Sequence, residues 1–185
     1  ARPARADGAV NVLFVGGDFA RKGGETLLQA FAGLPPSVKA HLHIVTKTEG
    51  VANGAANVTV HRDVAPNSER LRALFAEADF FAFPTRGDCL PLAVMEALAA
   101  GLPVITTNVA ALPEAVTHGE TGLVVPTDNA LALSEAIGTL ATDGALRMRL
   151  GLAARQAALS RFDAATNYRR LVDVVKNIAV ERKMR

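Results

Sequence analysis

Two short segments of the chain set charged side chains among glycine and proline. The first is Gly16-Gly17-Asp18-Phe19-Ala20-Arg21-Lys22-Gly23-Gly24, an Arg-Lys pair bracketed by two glycine pairs. Glycines let backbone approach an anion, cations neutralise phosphate charge, and a helix that follows adds its N-terminal N–H groups. The pattern is neither a Walker A loop nor GxGxxG, because Gly23 follows Lys22 and the glycine spacing differs. A turn carrying two solvated cations accounts for it equally well. The second segment runs from Pro84 through Asp88, Cys89, Leu90, Pro91 and Leu92 to Gly101. It places one carboxylate, Asp88, in a loop and another, Glu96, in the helix expected next. Glu96 falls among Val94, Met95 and Leu98, where a carboxylate needs partners if it is buried. A pair of ribose hydroxyls would supply them. An ion pair, or a partly exposed helix face, is the competing explanation.

These loops need elements to hold them, and the apolar pattern supplies candidates. Val10–Val15, His41–Thr46, Val58–His61, Asp79–Phe83, Pro103–Thr107 and Gly122–Val125 read as short strands. The Gly- and Asn-bearing stretch 50–57 reads as the turn between the second and third. Helices are expected over Glu25–Leu34, after a cap at Asn67 or Ser68, and over 91–100, with Pro91 in the first turn and Gly101 closing the end. From Asn129 onward only helices are expected, over 130–141, 145–160 and 163–181. Apolar strands alternating with helices predict a doubly wound, Rossmann-like α/β fold. Its parallel sheet would have about six strands and a helical C-terminal tail, all in a single domain over 1–185. In such sheets ligands bind at the carboxyl ends of the strands. Both charged segments follow a strand there.

Composition narrows the function. The chain has 185 residues, 50% hydrophobic and 21% charged, with a net charge of +2. That excludes a disordered or fibrous chain. It holds 35 alanines, so much of its apolar content is small and favours helix. Twenty basic residues nearly balance eighteen acidic ones, which gives little support to a nucleic-acid partner. With no Trp and one Tyr, stacking platforms for bases are largely missing. The single cysteine, Cys89, forms no intrachain disulfide and no Cys-based zinc site, and no general base adjoins it in sequence. His41 and His43 alternate on one strand, but with no third ligand nearby a metal site is not expected. His118 is expected at the surface. No apolar run reaches the roughly 18–20 residues of a membrane span, and no signal peptide is seen, so a cytoplasmic protein is expected.

Taken together, the segments resemble the C-terminal, donor-binding domain of group 1 (family 4) nucleotide-sugar glycosyltransferases of the GT-B type. The resemblance covers roughly residues 10–175. Val12-Leu13-Phe14-Val15-Gly16 with Lys22-Gly23 is similar to the family's opening strand and glycine-basic loop. Asp79–Pro84 is similar to its central strand, and Asp88 and Glu96 fall on its paired acidic positions. Glu96-Ala97-Leu98-Ala99-Ala100-Gly101-Leu102-Pro103-Val104-Ile105 matches a further stretch. So does Pro113-Glu114-Ala115-Val116 with Gly119-Glu120-Thr121-Gly122-Leu123-Val124-Val125. Order and spacing together make the match specific.

The resemblance implies a nucleoside-diphosphate sugar as donor, transfer with retention, and a partner N-terminal acceptor domain that this chain does not contain. It implies that Lys22 contacts the diphosphate with Gly16, Gly17 and Arg21 beside it, and that Glu96 contacts the ribose. Backbone at Leu90, Pro91 and Leu92 would lie near phosphates or sugar, Arg62 and Val64 near the nucleobase, and Asp88 near the transferred sugar, where it is the candidate catalytic group. Departure of a nucleoside diphosphate leaves charge that Lys22, Arg21 and a helix N-terminus can stabilise. There is no Asp-x-Asp motif, and no metal or other cofactor is expected. The basic final helix is expected on a solvated face or against another domain. Peripheral contact with the inner membrane face is a further expectation, because lipid-linked acceptors are frequent in the family.

Three positions depart from the family pattern. Gly17 stands where Arg is usual, Asp88 where Glu is usual, and Pro91 where glycine is usual. Proline has no N–H, so one phosphate contact must be lost or shifted. These departures keep open a non-catalytic interaction module. The two-domain plan also fits a sugar-nucleotide epimerase.

Overall fold

The computed structural model describes residues 8–51 and 56–183, with side chains through residue 179. Six parallel strands form one sheet in the order β3-β2-β1-β4-β5-β6. They are β1 (Val10–Val15), β2 (Ala40–Val45), β3 (Val58–His61), β4 (Phe80–Phe83), β5 (Val104–Thr107) and β6 (Gly122–Val125). The helices are α1 (Gly24–Ala32), α2 (Glu69–Glu77), α3 (Leu92–Ala99), α4 (Leu112–Ala115), α5 (Ala130–Thr142), α6 (Gly144–Arg161) and α7 (Ala164–Lys183). The Rossmann-like sheet followed by a helical C-terminal region is the fold expected from the sequence.

Burial explains the strands' composition. Phe80, Phe81, Ala82 and Phe83 of β4 have no exposed surface, as befits a central strand covered on both faces. Phe14 of β1 stacks on Phe83 with ring centroids 6.1 Å apart. Three of the helices, α2, α5 and α6, start at side-chain caps. Ser68, Asn129 and Asp143 accept from the backbone N–H of Leu71, Ala132 and Leu146, satisfying N–H groups that a helix start leaves unpaired. Gly101, at φ 71, follows α3 in the left-handed conformation.

Some boundaries shift. β2 begins and ends one residue earlier than the apolar run suggests, and Thr46 N–H bonds His61 O at 3.2 Å instead. Asp79 and Pro103 lie just outside β4 and β5. α1 stops at Ala32, short of Leu34, ahead of Pro35-Pro36. Pro91 is the N-cap of α3, at φ −71° and ψ 131°, and not within its first turn. Proline's fixed φ suits either place, and an N-cap is extended. Leu112–Ala115 forms one helical turn that the sequence pattern did not indicate. Of the turn expected over 50–57, residues 52–55 lie outside the described residues.

The strand order positions the site. Chain connections run outward in opposite directions from β1 and β4, the two adjacent central strands. Their following loops therefore meet at the carboxyl ends of the sheet, where ligands bind in folds of this kind. Those loops are the two charged segments.

Candidate donor-binding site

The loop after β1 folds tightly on itself. Lys22 N–H bonds Asp18 O at 3.1 Å, Gly23 N–H bonds Ala20 O at 3.1 Å, and Gly24 N–H bonds Phe19 O at 2.8 Å. Three glycines here have no room for a Cβ, which on Gly24 would lie 2.2 Å from the Phe19 ring. Gly23 holds φ 75, and a Cβ there would lie 1.9 Å from Pro84 O, so it lets the two loops touch. A Cβ on Gly16 would lie 2.6 Å from Lys22 Cδ; its absence leaves the path that the lysine stem follows. Gly17 is exposed, and its carbonyl accepts from Thr48 Oγ1 at 2.8 Å.

The loop after β4 is stitched to the first. Arg86 N–H bonds Arg21 O at 2.9 Å, and Thr85 Oγ1 donates to the same carbonyl at 3.2 Å. Lys22 Nζ donates to Asp88 Oδ2 at 2.6 Å and sits 5.0 Å from the Phe83 ring centre. Arg21 Nη1 reaches the same Asp88 oxygen at 3.4 Å and also donates to Gly87 O. Asp18 accepts from the Arg21 backbone N–H at 3.1 Å and from Arg21 Nε at 3.0 Å, and those bonds hold its carboxyl below its usual pKa. The structure thus brings Lys22, Arg21 and Asp88 together, although 66 residues separate Lys22 from Asp88 in the chain.

Arg86 is a site residue that sequence reasoning missed. Its Nε donates to Asp128 Oδ1 at 2.6 Å, its Nη1 lies 3.5 Å from Glu25, and Nη1 also donates to Ala20 O at 3.2 Å. It ties together the loops after β1, β4 and β6. Asp128 keeps it firmly protonated, raising its pKa. The available signal was a cation two residues before Asp88.

Glu96 differs from these groups. It is exposed on α3, not enclosed by the neighbouring apolar residues. Its side chain makes no hydrogen bond or ion pair with the described residues, yet partial desolvation raises its carboxyl pKa. Leu90 is half-buried, Pro91 buried and Leu92 71% exposed. The first turn of α3 leaves N–H groups at Leu92 and Ala93 without intrahelical acceptors, but Pro91 contributes none. Arg62, exposed, donates to Thr48 O at 2.6 Å and Val51 O at 3.2 Å. It thereby braces the loop whose Thr48 holds Gly17. Val64 packs against the core.

The histidines are satisfied by one another. His43 Nδ1 lies 3.1 Å from His61 Nε2, and His41 Nε2 lies 2.8 Å from Thr59 Oγ1. His61 was not foreseen as a third member of this group. Desolvation, then Arg70, lowers its pKa. Among the described residues no group of three or more His, Cys, Asp or Glu is placed to hold a metal ion. His118 is exposed as expected, with Nδ1 accepting from Val124 N–H at 3.0 Å, and Cys89 is an exposed free thiol.

A parallel sheet in this strand order, with cationic and acidic loops meeting at its reversal, defines a Rossmann-like α/β domain. The family model for glycosyl transferases group 1 matches residues 9–143, and the chain belongs to that family. It is 41% identical over 104 residues to D-inositol 3-phosphate glycosyltransferase of Corynebacterium glutamicum (strain R), covering 56% of this chain and 25% of that protein. The protein of the same description from Pseudarthrobacter chlorophenolicus is 31% identical over 159 residues, covering 80% and 38%. Sucrose-phosphate synthase from Thermosynechococcus elongatus has a solved structure that superposes with a TM-score of 0.78 at 26% identity. That match covers 93% of this chain and 46% of the synthase. The chain therefore spans less than half the length of each.

Proposed function

We propose that this chain is the donor half of a retaining glycosyltransferase, which binds a nucleoside-diphosphate sugar at the joined loops following β1 and β4. Transfer of the glycosyl group, a hexosyl unit in this reading, requires an acceptor-binding domain outside this chain. The observation that carries the reading is the meeting of Lys22 and Asp88 at 2.6 Å across the point where strand order reverses. A cation so placed has its charge beside the phosphates, where the leaving group gains negative charge as the glycosidic bond breaks. Fixed dipoles and cations need no reorganisation at that moment, so they favour the transition state over the ground state. Arg21 adds charge from the same loop and occupies the electrostatic role of the arginine that Gly17 replaces. Glu96 offers an acceptor to the ribose hydroxyls. Asp88 faces the sugar side, and Arg62 and Val64 border the nucleobase side.

Calorimetric titration of the chain with uridine, guanosine and adenosine diphosphates tests the assignment. One of them is expected to bind. Lys22→Ala and Glu96→Ala are each expected to weaken it about tenfold, the loss of one charge-assisted hydrogen bond or a ribose pair. If no nucleotide binds, or if both variants bind as the parent does, the site is misassigned and an interaction module without donor binding becomes the better reading.

A further inference from the structure

The acidic partner of Lys22 poses a physical problem for the reading just given. Asp88 Oδ2 accepts from Lys22 Nζ at 2.6 Å and lies 3.4 Å from Arg21 Nη1. The Lys22 and Asp88 side chains are only 17% and 18% exposed, so solvent screens the pair weakly. Two of the cations suited to a diphosphate therefore already share one carboxylate. A phosphate that takes up Lys22 must displace Asp88 or sit beside it, and in either case two like charges come close. An acid at this point is a handicap for binding a bare anion.

The handicap is unequal for two related ligands. A sugar nucleotide carries sugar hydroxyls, which can donate hydrogen bonds to a displaced carboxylate. A bare nucleoside diphosphate has no such donors at its terminal phosphate, and near neutral pH it carries roughly one more negative charge. We propose that Asp88 is a specificity-determining residue that occupies Lys22 and Arg21 as an internal anion and makes the site favour a sugar-bearing nucleotide over the bare diphosphate. The inference rests on the donor-binding reading. It assigns to the aspartate a second consequence, easing departure of the diphosphate product after the sugar has left. The short side chain matters here. One methylene fewer than glutamate keeps the carboxylate on the lysine, while the longer residue usual in the family reaches further.

The experiment compares the dissociation constants of uridine diphosphate and uridine diphosphate glucose for the parent chain, for Asp88→Asn and for Asp88→Glu. The guanosine or adenosine pair replaces them if the parent prefers that base. Asp88→Asn keeps the volume and removes the charge. It is expected to tighten the bare diphosphate about five- to tenfold, with the sugar nucleotide changing less than about twofold. Asp88→Glu restores the charge one methylene further out and is expected to return the ratio only part of the way to that of the parent. The parent itself is expected to bind the sugar nucleotide more tightly than the bare diphosphate, a measurement that needs no variant to fold. Unchanged or weaker diphosphate binding in Asp88→Asn, equal tightening of both ligands, or a parent that prefers the bare diphosphate overturns the proposal. If the parent binds no nucleotide at all, the donor-binding reading falls and takes this inference with it. A parent that binds, with no gain in Asp88→Asn, sinks the inference alone.

Discussion

Glu96 is exposed on α3, yet nearby groups remove enough water from its carboxyl to raise the pKa above the ordinary glutamate value. The folded state therefore holds a proton more readily than the unfolded state does. By linkage, this group leaves stability unaffected below the unfolded pKa, and costs stability as pH rises through the folded one. At neutral pH the carboxylate is a net burden on the fold, though a small one, since water still reaches it. Glu96→Gln is expected to raise the melting temperature at neutral pH by roughly 1–2 °C and to leave it unchanged in acid. The same substitution is expected to weaken nucleotide binding, because an amide is a poorer acceptor for two hydroxyls than a carboxylate. Thermal denaturation at two pH values, with calorimetry beside it, checks both halves. A variant that is less stable at neutral pH would show that Glu96 serves the fold. The sequence placed this residue on the right helix but left its surroundings open between burial and an exposed face, because its apolar neighbours in sequence need not enclose it in space.

Among the elements, the strands and the two loops were legible because their signals are local. Unbroken apolar runs mark buried parallel strands, and glycine pairs mark the turns that follow them. What stayed hidden are pairings between distant segments, such as Arg86 with Asp128, 42 residues apart. No periodicity encodes such a contact. Lys22 with Asp88 is of the same kind, and only the family resemblance placed these two residues at one site. Gly23 joins the local signal to the long-range contact. Its position before α1 is visible in the sequence, while its clash partner, Pro84 O, belongs to the loop after β4. Gly23→Ala must adopt a positive φ and also push that carbonyl away. The expected cost is about 2–4 kcal/mol, more than the strain of a positive φ alone. Because the displaced carbonyl precedes Arg86 and Asp88, nucleotide binding should fall with stability. Denaturant unfolding and titration of the same sample check this. Gly17→Ala, with nothing within 4 Å of the added Cβ, is the control and should leave stability nearly unchanged.

Across the chain, the helical tail relates differently to the sheet than the other helices do. α1 packs against α5 and α3 against α6, closing the two faces of the α/β body. α7 leaves Tyr168, Leu171, Val175 and Ile178 between 55% and 69% exposed. Together with half-buried Val172 they recur at helical spacing, and the described structure leaves most of that face uncovered. Exposed apolar side chains contribute little to holding a helix down, because the hydrophobic effect scales with area removed from water. Deleting residues 164–185 is therefore expected to move the melting temperature by less than about 3 °C. It should also reduce self-association at high concentration, since a contiguous apolar stripe promotes it. Scanning calorimetry and light scattering on the two forms decide the matter. A large loss of stability would mean that α7 packs on the body after all. Equal scattering would mean that its apolar face is not what drives association. Nucleotide affinity provides the third comparison. The loops that carry Lys22, Asp88 and Arg86 make no contact with α7 among the hydrogen bonds and ion pairs of the described residues, so the shortened chain should bind as the parent does.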